Sequence, residues 1–187
     1  PNAIAFDGQG RMYVTDSATG SIYRAVGDGP LEPWFSDPLL LGDGSFGFGV
    51  PLGANGIAYR QGSLYVAATE KGRIMRIPVD SHGTAGTPQV VADGPQLVGA
   101  DGLAFDVRGN LYIAANAQNK LLRLSPGGGI ETLATAADGL DFPSGIAFGR
   151  GPLSHSAVFI SSFAIGAPGA GPSITEIDVG IPGQPLP

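Results

Sequence analysis

The sequence contains no cysteine. Disulfide bonds, thiolate metal sites and cysteine nucleophiles are therefore excluded. There are only two histidines, His82 and His155, and no Gly-x-Ser-x-Gly motif, so the sequence does not favour a serine-hydrolase triad. Both histidines fall in polar turns, where a surface position is the ordinary expectation.

Charged residues are also few, at 14% of the chain against roughly 25% in average domains. The net charge is -6, and the ten lysines and arginines are scattered along the sequence. Nucleic-acid-binding proteins need clustered basic residues, so we expect no nucleic-acid partner. No apolar run approaches about 18 residues, so we expect no membrane span. The composition fits a metal ion or a neutral small ligand better.

The chain begins with a proline in the middle of a repeat and shows no methionine or signal segment there. We therefore expect a truncated or processed piece that lacks its N-terminal portion. The compartment stays undetermined: a soluble protein that is periplasmic, secreted or cytoplasmic fits equally well.

One five-residue phrase recurs four times, at a period of about 45 to 53 residues. It reads Asn2-Ala3-Ile4-Ala5-Phe6, Asn55-Gly56-Ile57-Ala58-Tyr59, Asp101-Gly102-Leu103-Ala104-Phe105 and Ser144-Gly145-Ile146-Ala147-Phe148. Each phrase is followed by a turn and a second apolar run, at residues 11–16, 63–68, 110–115 and 157–162. Whole hairpins are therefore repeated.

A third run repeats in register and places Arg24, Arg76 and Arg123 at equivalent positions. A weaker fourth run follows in the first three units, and the last unit lacks a convincing one. Four short strands per unit, with no helical period, are typical of a β-propeller blade. The sequence predicts an all-β fold and a single propeller domain over residues 1–187. Its antiparallel blades span roughly 1–36, 54–92, 100–134 and 143–179.

The residue that opens each phrase is the candidate ligand-binding position in the first three units, at Asn2, Asn55 and Asp101, whereas Ser144 marks a blade that we expect to contribute no ligand. In a propeller these residues would face the central channel at one end of the blades. Asn-Gly and Asp-Gly are also common turn dipeptides, which is the simpler reading of each pair taken singly. Their shared position before the same strand favours a site. Amide and carboxylate oxygens from separate blades suit a hard cation such as Ca²⁺.

These motifs resemble the senescence-marker-type, gluconolactonase and luciferin-regenerating-enzyme-like propellers, the regucalcin type. The resemblance rests on Phe6-Asp7-Gly8-x-Gly10-Arg11, on Asn55-Gly56 with Leu64-Tyr65-Val66-Ala67, and on Asp101-Gly102 with Gly109-Asn110-Leu111-Tyr112. It implies six blades around a divalent metal, of which about four are present here. It places two asparagine ligands on Asn2 and Asn55, and the aspartate that is both ligand and proposed catalytic base on Asp101.

The same resemblance implies a fourth ligand, a glutamate from an earlier blade, which has no counterpart in this chain. It also implies that an N-terminal strand completes the last blade. We therefore expect open strand edges, which tend to pair with other chains. Self-association, a four-bladed closure and pairing with missing N-terminal blades all stay open.

The chemistry implied is hydrolysis of a small-molecule lactone or related ester. A bound cation, with Ca²⁺ favoured over Mg²⁺, Mn²⁺ and Zn²⁺, would polarise the carbonyl, and Asp101 would take a proton from water. Glu70 and Asn116, in loops at the same end of the blades, are candidate contacts to substrate hydroxyls. For Glu70, a solvated loop charge is the commoner alternative.

Three further expectations concern the scaffold and the rival functions. The glycine-rich segment Gly42–Gly49 is a weak candidate for cradling a phosphate and is better interpreted as a pocket wall or lid. The repeated arginines are expected to be outer-face or interblade ion-pair partners. The alternatives to a hydrolase are a non-catalytic propeller of the NHL-repeat type, which binds a partner through its loop face, and a strictosidine-synthase-like propeller.

Overall fold

The computed structural model describes residues 1–165 and 171–186. Within them, the regular elements are fifteen β-strands and four three-residue 3-10 turns, at Pro38–Leu40, Pro95–Leu97, Asn116–Gln118 and Ala136–Asp138. No helix in these two ranges has the length and apolar character needed to cross a membrane. The prediction of an all-β chain is confirmed.

The chain forms two compact units, Pro1–Ala100 and Asp101–Pro185. The first unit contains two four-stranded antiparallel sheets in which sequential strands are neighbours. The strands of the first sheet are β1 (Ile4–Phe6), β2 (Arg11–Asp16), β3 (Ser21–Val26) and β4 (Glu32–Ser36). Those of the second are β5 (Ala54–Arg60), β6 (Ser63–Ala68), β7 (Arg73–Pro78) and β8 (Gln89–Asp93).

The remaining strands form a four-stranded and a three-stranded sheet, again antiparallel and in sequential order. They are β9 (Ala100–Phe105), β10 (Leu111–Ala115), β11 (Lys120–Leu124), β12 (Ile130–Ala134), β13 (Pro143–Phe148), β14 (Ala157–Ser162) and β15 (Ser173–Asp178). In the described part of the chain the last sheet has no fourth strand, as the sequence predicts. Its outer strand β15 exposes Ile174 to solvent.

The repeated arginines owe their spacing to strand pairing. Tyr13 lies opposite Arg24, Tyr65 opposite Arg76, and Tyr112 opposite Arg123 across the second and third strands of their sheets. Arg123 makes the expected ion pair, a 2.5 Å contact with Glu131 on the adjacent strand. Arg24 donates to the carbonyl of Gly83, in the loop between β7 and β8, and Trp34 Nε1 donates to the same oxygen.

Each unit has its own apolar core, built by the inward-facing residues of the second and third strands. In the first unit the core includes Tyr13, Ile22, Leu64 and Met75, all fully buried, with Trp34 packed edge-on against Tyr13. The second unit has a core around the residues Tyr112, Leu121, Val158 and Ile160. The second strands of the sheets are buried along most of their length, and all five residues of β10 are buried.

Two buried aspartates close the first hairpin of two sheets. Asp7 accepts hydrogen bonds from the backbone amides of Gln9 and Arg11, from Tyr13 Oη at 3.1 Å and from Arg11 Nε at 2.5 Å. Burial alone would raise the pKa of Asp7, but these hydrogen bonds hold it below its usual value. Burial, followed by the nearby Asp7 charge, raises the pKa of Tyr13 to about 12.

Asp106 occupies the equivalent position in the second unit. It accepts from the amides of Arg108 and Asn110, from Asn110 Nδ2 at 2.6 Å and from Tyr112 Oη at 3.2 Å. The spacing Asp-x-x-Gly-x-x-Tyr, shared by residues 7–13 and 106–112, is the sequence pattern of this turn.

Because Arg11 and Asp7 are both buried, we expect Asp7→Asn to destabilise the protein by about 3 kcal/mol at pH 7, since a buried guanidinium loses its countercharge. The pKa of Asp7 is lowered in the folded state, so its contribution is present above the unfolded pKa and is lost as the pH falls through the folded pKa. Urea unfolding at pH 7 and near pH 3 measures both effects. The matched control is Asp28→Asn, an exposed aspartate. Equal losses of unfolding free energy in the two variants at pH 7 would contradict a stabilising ion pair between Asp7 and Arg11.

Candidate functional site

The four opening residues lie at the start of the first strand of each sheet. Asn2 lies two residues before the start of β1, whereas Asn55, Asp101 and Ser144 are the second residues of β5, β9 and β13. Asn2 and Asn55 belong to the first compact unit, and Asp101 and Ser144 belong to the second. The shared position in the strand is the one that the sequence repeat predicts.

Hydroxyl side chains of β2 and its following turn connect Asn2 to the start of β5. Asn2 Nδ2 donates to Ser17 Oγ at 3.0 Å, and Ser17 Oγ donates to the carbonyl of Ala54 at 2.9 Å. Thr15 Oγ1 donates to the carbonyl of Asn55 at 2.6 Å. Asn2 is exposed, but Thr15, Ser17 and Asn55 are buried, so these hydrogen bonds give the opening of β5 a fixed position.

The side chain of Asn55 is buried, and its amide oxygen lacks a hydrogen-bond partner among the described residues. The residue is 4% exposed, and the oxygen is Oδ1. An unpaired buried polar atom costs about 1–3 kcal/mol, and such atoms are rare in native proteins. The oxygen is therefore available to a bound cation, a water molecule or a substrate group.

Asp101 is partly buried and has two side-chain hydrogen-bond partners. Burial raises its pKa to about 6, against the opposing effect of hydrogen bonds from Asn116 and Ser144. The amide Nδ2 of Asn116 lies 3.1 Å from Asp101 Oδ2. The carboxylate is therefore held in place and exchanges its proton close to neutral pH.

Asn116, predicted as a substrate contact, begins the 3-10 turn after β10. It is 3% exposed, and its Oδ1 has no partner in the part of the chain that the structure describes. Its bond to Asp101 spans fifteen residues, the same separation as the Asn2–Ser17 bond. This common spacing, between the first-strand opening and the residue after the second strand, is a sequence signal for the pairing.

Ser144 has a role that the sequence does not reveal. No ligand is expected from this position, yet the Ser144 hydroxyl hydrogen-bonds to the Asp101 carboxylate. The carbonyl of Ser144 also lies so close to Gly102 that a Cβ there would overlap it. The Asp-Gly pair at 101–102 thus permits a close strand approach, and β9 extends through it.

Glu70 is not a solvated loop charge, so that interpretation is wrong. It is buried, and its carboxylate accepts backbone N–H groups from Asp43 and Gly44 at 2.7 Å and from Phe46 at 3.1 Å. Burial alone would raise the pKa of Glu70, but its backbone hydrogen bonds keep it below the usual value. Its contact with substrate stays a prediction.

The glycine-rich segment does surround an anion, but that anion is the Glu70 carboxylate of the chain itself. The positive φ angles of Gly44 and Gly47, 75° and 74°, give the loop the turns that aim its amides at one point. Because Glu70 uses these donors, the segment has little capacity left for a phosphate.

Other titratable groups lie apart from these residues. His82 and His155 are exposed, as expected. In the described ranges, no three His, Asp or Glu residues form a group that could hold a metal. An open pocket of about 510 Å³ in the second unit is lined by Arg108, Asn110, Arg123 and Glu131 among others, but not by Asp101. The candidate residues therefore offer amide oxygens and hydroxyls in the first unit, and an amide oxygen, a hydroxyl and one carboxylate in the second.

The solved structures that this chain resembles are propellers. They include a luciferin-regenerating enzyme (16% identity, TM-score 0.72) and a protein classed as a gluconolactonase by family (18%, 0.73). A calcium-binding protein, regucalcin, from Agrobacterium tumefaciens has 21% identity and a TM-score of 0.73. The matches cover 98%, 99% and 98% of this chain but only 62%, 60% and 62% of those proteins. At these identities the likeness shows the fold, a β-propeller.

The sequence itself matches one family model. A search among curated proteins gives no significant match. The model of the SMP-30/gluconolactonase/LRE-like region matches residues 52–162, which include Asn55, Asp101, Asn116 and Ser144. Because this match covers more than half of the chain, the protein belongs to the SMP-30/gluconolactonase/LRE-like family.

Proposed function

We propose that this protein is a gluconolactonase-like, metal-dependent hydrolase of lactones or related esters. The observation that carries the proposal is the Asp101 carboxylate, positioned by Asn116 and Ser144 and poised to exchange a proton near neutral pH. A general base needs this combination of fixed geometry and a pKa close to the working pH. Membership of the family supports the same chemistry.

The residues present fit a hard divalent cation. Asn55 offers a buried amide oxygen that lacks a partner, and oxygen ligands of this kind suit Ca²⁺. Asn2, Asn55 and Asp101 are the residues that would hold the ion, with Ca²⁺ favoured. When bound, the cation supplies Lewis-acid polarisation of the ester carbonyl. A single carboxylate provides little charge, so we expect weak binding.

The side chains of the site have separate tasks in hydrolysis. Asp101 accepts a proton from the attacking water, while the Asn116 amide and the Ser144 hydroxyl hold the carboxylate. The water oxygen bonds to the carbonyl carbon, and the ring C–O bond then breaks. The proton passes from Asp101 to the leaving alkoxide, which gives a hydroxy acid and restores the carboxylate. A non-catalytic NHL-type propeller needs neither the carboxylate nor the unpaired Asn55 oxygen.

Replacing Asp101, the proposed general base, should reduce hydrolytic activity while the protein stays folded. We expect Asp101→Asn, which is isosteric and can keep the Asn116 bond, to lower kcat/KM for lactone hydrolysis about 10²–10⁴-fold. A chelator should abolish the activity of the unchanged protein, and added Ca²⁺ should restore it. Asp28→Asn is the control. Hydrolysis that survives both the Asp101 change and the chelator would contradict the mechanism.

The same substitution should stabilise the metal-free protein at high pH. The pKa of Asp101 is raised in the folded state, so the folding advantage of its protonated form is complete below about pH 4 and is lost as the pH rises through about 6. Because Asp101→Asn has no ionisable group at this position, the variant does not lose this stability as the pH rises. Thermal unfolding in chelator should therefore give Asp101→Asn a higher Tm than the unchanged protein at pH 8 and a similar Tm at pH 4. A Tm difference that does not vary with pH would contradict the burial of this carboxylate.

Asn55 should matter for the cation more than for folding. We expect Asn55→Leu to leave the Tm in chelator nearly unchanged, because the amide oxygen has no partner to lose. The rise in Tm caused by millimolar Ca²⁺ should shrink, as binding to the native state weakens. Thermal unfolding over a Ca²⁺ series measures this, with Gln61→Ala, in the turn that follows β5, as the control. An unchanged Ca²⁺ response would exclude Asn55 as a ligand.

A further inference from the structure

The segment between the first two sheets carries exposed apolar side chains on an anchored loop. We call Leu41–Gly53 the apolar loop. Its rings Phe46 and Phe48 contact each other edge to face, with centroids 6.4 Å apart. Phe48 is 56% exposed and Val50 is 50% exposed. Several large apolar groups that face solvent within one short segment are uncommon in a protein without a ligand for them.

The apolar loop is fastened at both ends. Near its start, Asp43, Gly44 and Phe46 donate backbone hydrogen bonds to the buried Glu70 carboxylate. Lys71 Nζ adds a 2.8 Å ion pair with Asp43. At the other end, the amide of Gly53 donates to the carbonyl of Ser17. The half-buried ring of Phe46 and the exposed ring of Phe48 therefore lie on a loop with a fixed base.

The loop leads directly into the candidate site. Gly53 precedes β5, in which Asn55 is the second residue, and Ala54 pairs with Ala68 at the end of β6. Two residues after Ala68 comes Glu70, the anchor of the loop. Phe46, Phe48 and Asn55 are thus held at the same end of the second sheet.

The chemistry of the loop selects an apolar partner group. Asp43 is its only ionisable side chain, and it is paired with Lys71. Three of the amides that could bind an anion or a polyol are already used by Glu70. We propose, on the basis of the proposed function, that Phe46 and Phe48 form a specificity surface for lactones or esters that carry an alkyl chain or another apolar substituent.

The test uses γ-lactones that differ only in the alkyl chain at the ring, from none to about eight carbons. In the unchanged protein, kcat/KM should rise with chain length by about tenfold or more, because each buried methylene contributes to binding. Phe48→Ser should remove most of this rise and leave the unsubstituted lactone unaffected. Leu153→Ser, a change at a fully exposed leucine of the second unit, is the matched control and should keep the rise.

Binding of the corresponding γ-lactams, which resist hydrolysis, separates this inference from the proposed function. Ligand-observed NMR should show tighter lactam binding with longer chains, and Phe48→Ser should weaken it. Lactam binding that depends on chain length, without any lactone hydrolysis, would overturn the proposed hydrolase function. It would still support Phe46 and Phe48 as a specificity surface. Hydrolysis or binding that does not vary with chain length would overturn the proposal that Phe46 and Phe48 form a specificity surface. So would a chain-length effect that is the same in Phe48→Ser as in the unchanged protein. A dimer in size-exclusion chromatography that Phe48→Ser disrupts, without a chain-length effect, would assign the loop to self-association and would also overturn it.

Discussion

Hydroxyl groups at the end of β2 and in the turn after it fix the opening of β5, the strand that carries Asn55. Thr15 and Ser17 donate to consecutive carbonyls, those of Asn55 and Ala54, at the point where β5 begins. Backbone carbonyls at a strand opening need such partners because they cannot stay buried and unpaired. With the backbone held in this way, the Asn55 side chain has a defined position, and its unpaired oxygen is a feature of the fold. In the second unit, Asn116 and Ser144 hold the side chain of Asp101 instead.

The candidate site residues reduce the stability of the folded state. Asn55 and Asn116 each keep a buried oxygen without a partner in the described structure, and burial works against the ionised form of Asp101. The scaffold shows the opposite: Asp7 and Asp106 are each saturated with hydrogen bonds. Polar groups of similar type are thus satisfied where they support a turn and left incomplete where a ligand is expected. Such incomplete groups cluster at functional sites in proteins generally.

Much of the fold could be predicted from the sequence, because each unit repeats the same local pattern. The four Ile-Ala-Phe phrases and the runs after them become strands, since alternation and turn residues act over short distances. The equal spacing of Arg24, Arg76 and Arg123 follows from pairing with a tyrosine on the adjacent strand. The family, too, could be recognised from these motifs. The metal-binding role of Asn2, Asn55 and Asp101 and the single-domain organisation of the chain stay predictions.

The remaining features depend on contacts between distant segments. The burial of Glu70 results from a loop more than twenty residues earlier that folds back onto it. The bond between Ser144 and Asp101 needs two separate sheets to meet, and nothing in either pentapeptide indicates it. The turn role of Asp7 and Asp106 was visible as a repeated spacing, but burial and saturation with donors appear only in three dimensions. The sequence pattern therefore predicts the candidate positions, and the tertiary structure shows the partners of their side chains.

The proposed function depends on Asp101 as a partly buried, positioned carboxylate that serves a cation-dependent hydrolase. Its pKa can be measured by carbon-detected NMR of the aspartate side-chain carboxyl groups, assigned with Asp101→Asn and followed over pH with and without Ca²⁺. We expect the Asp101 resonance to titrate with a pKa of about 6 in chelator, and we expect Ca²⁺ to move the titration to lower pH. A pKa close to 4 in chelator, with no response to Ca²⁺, would contradict it.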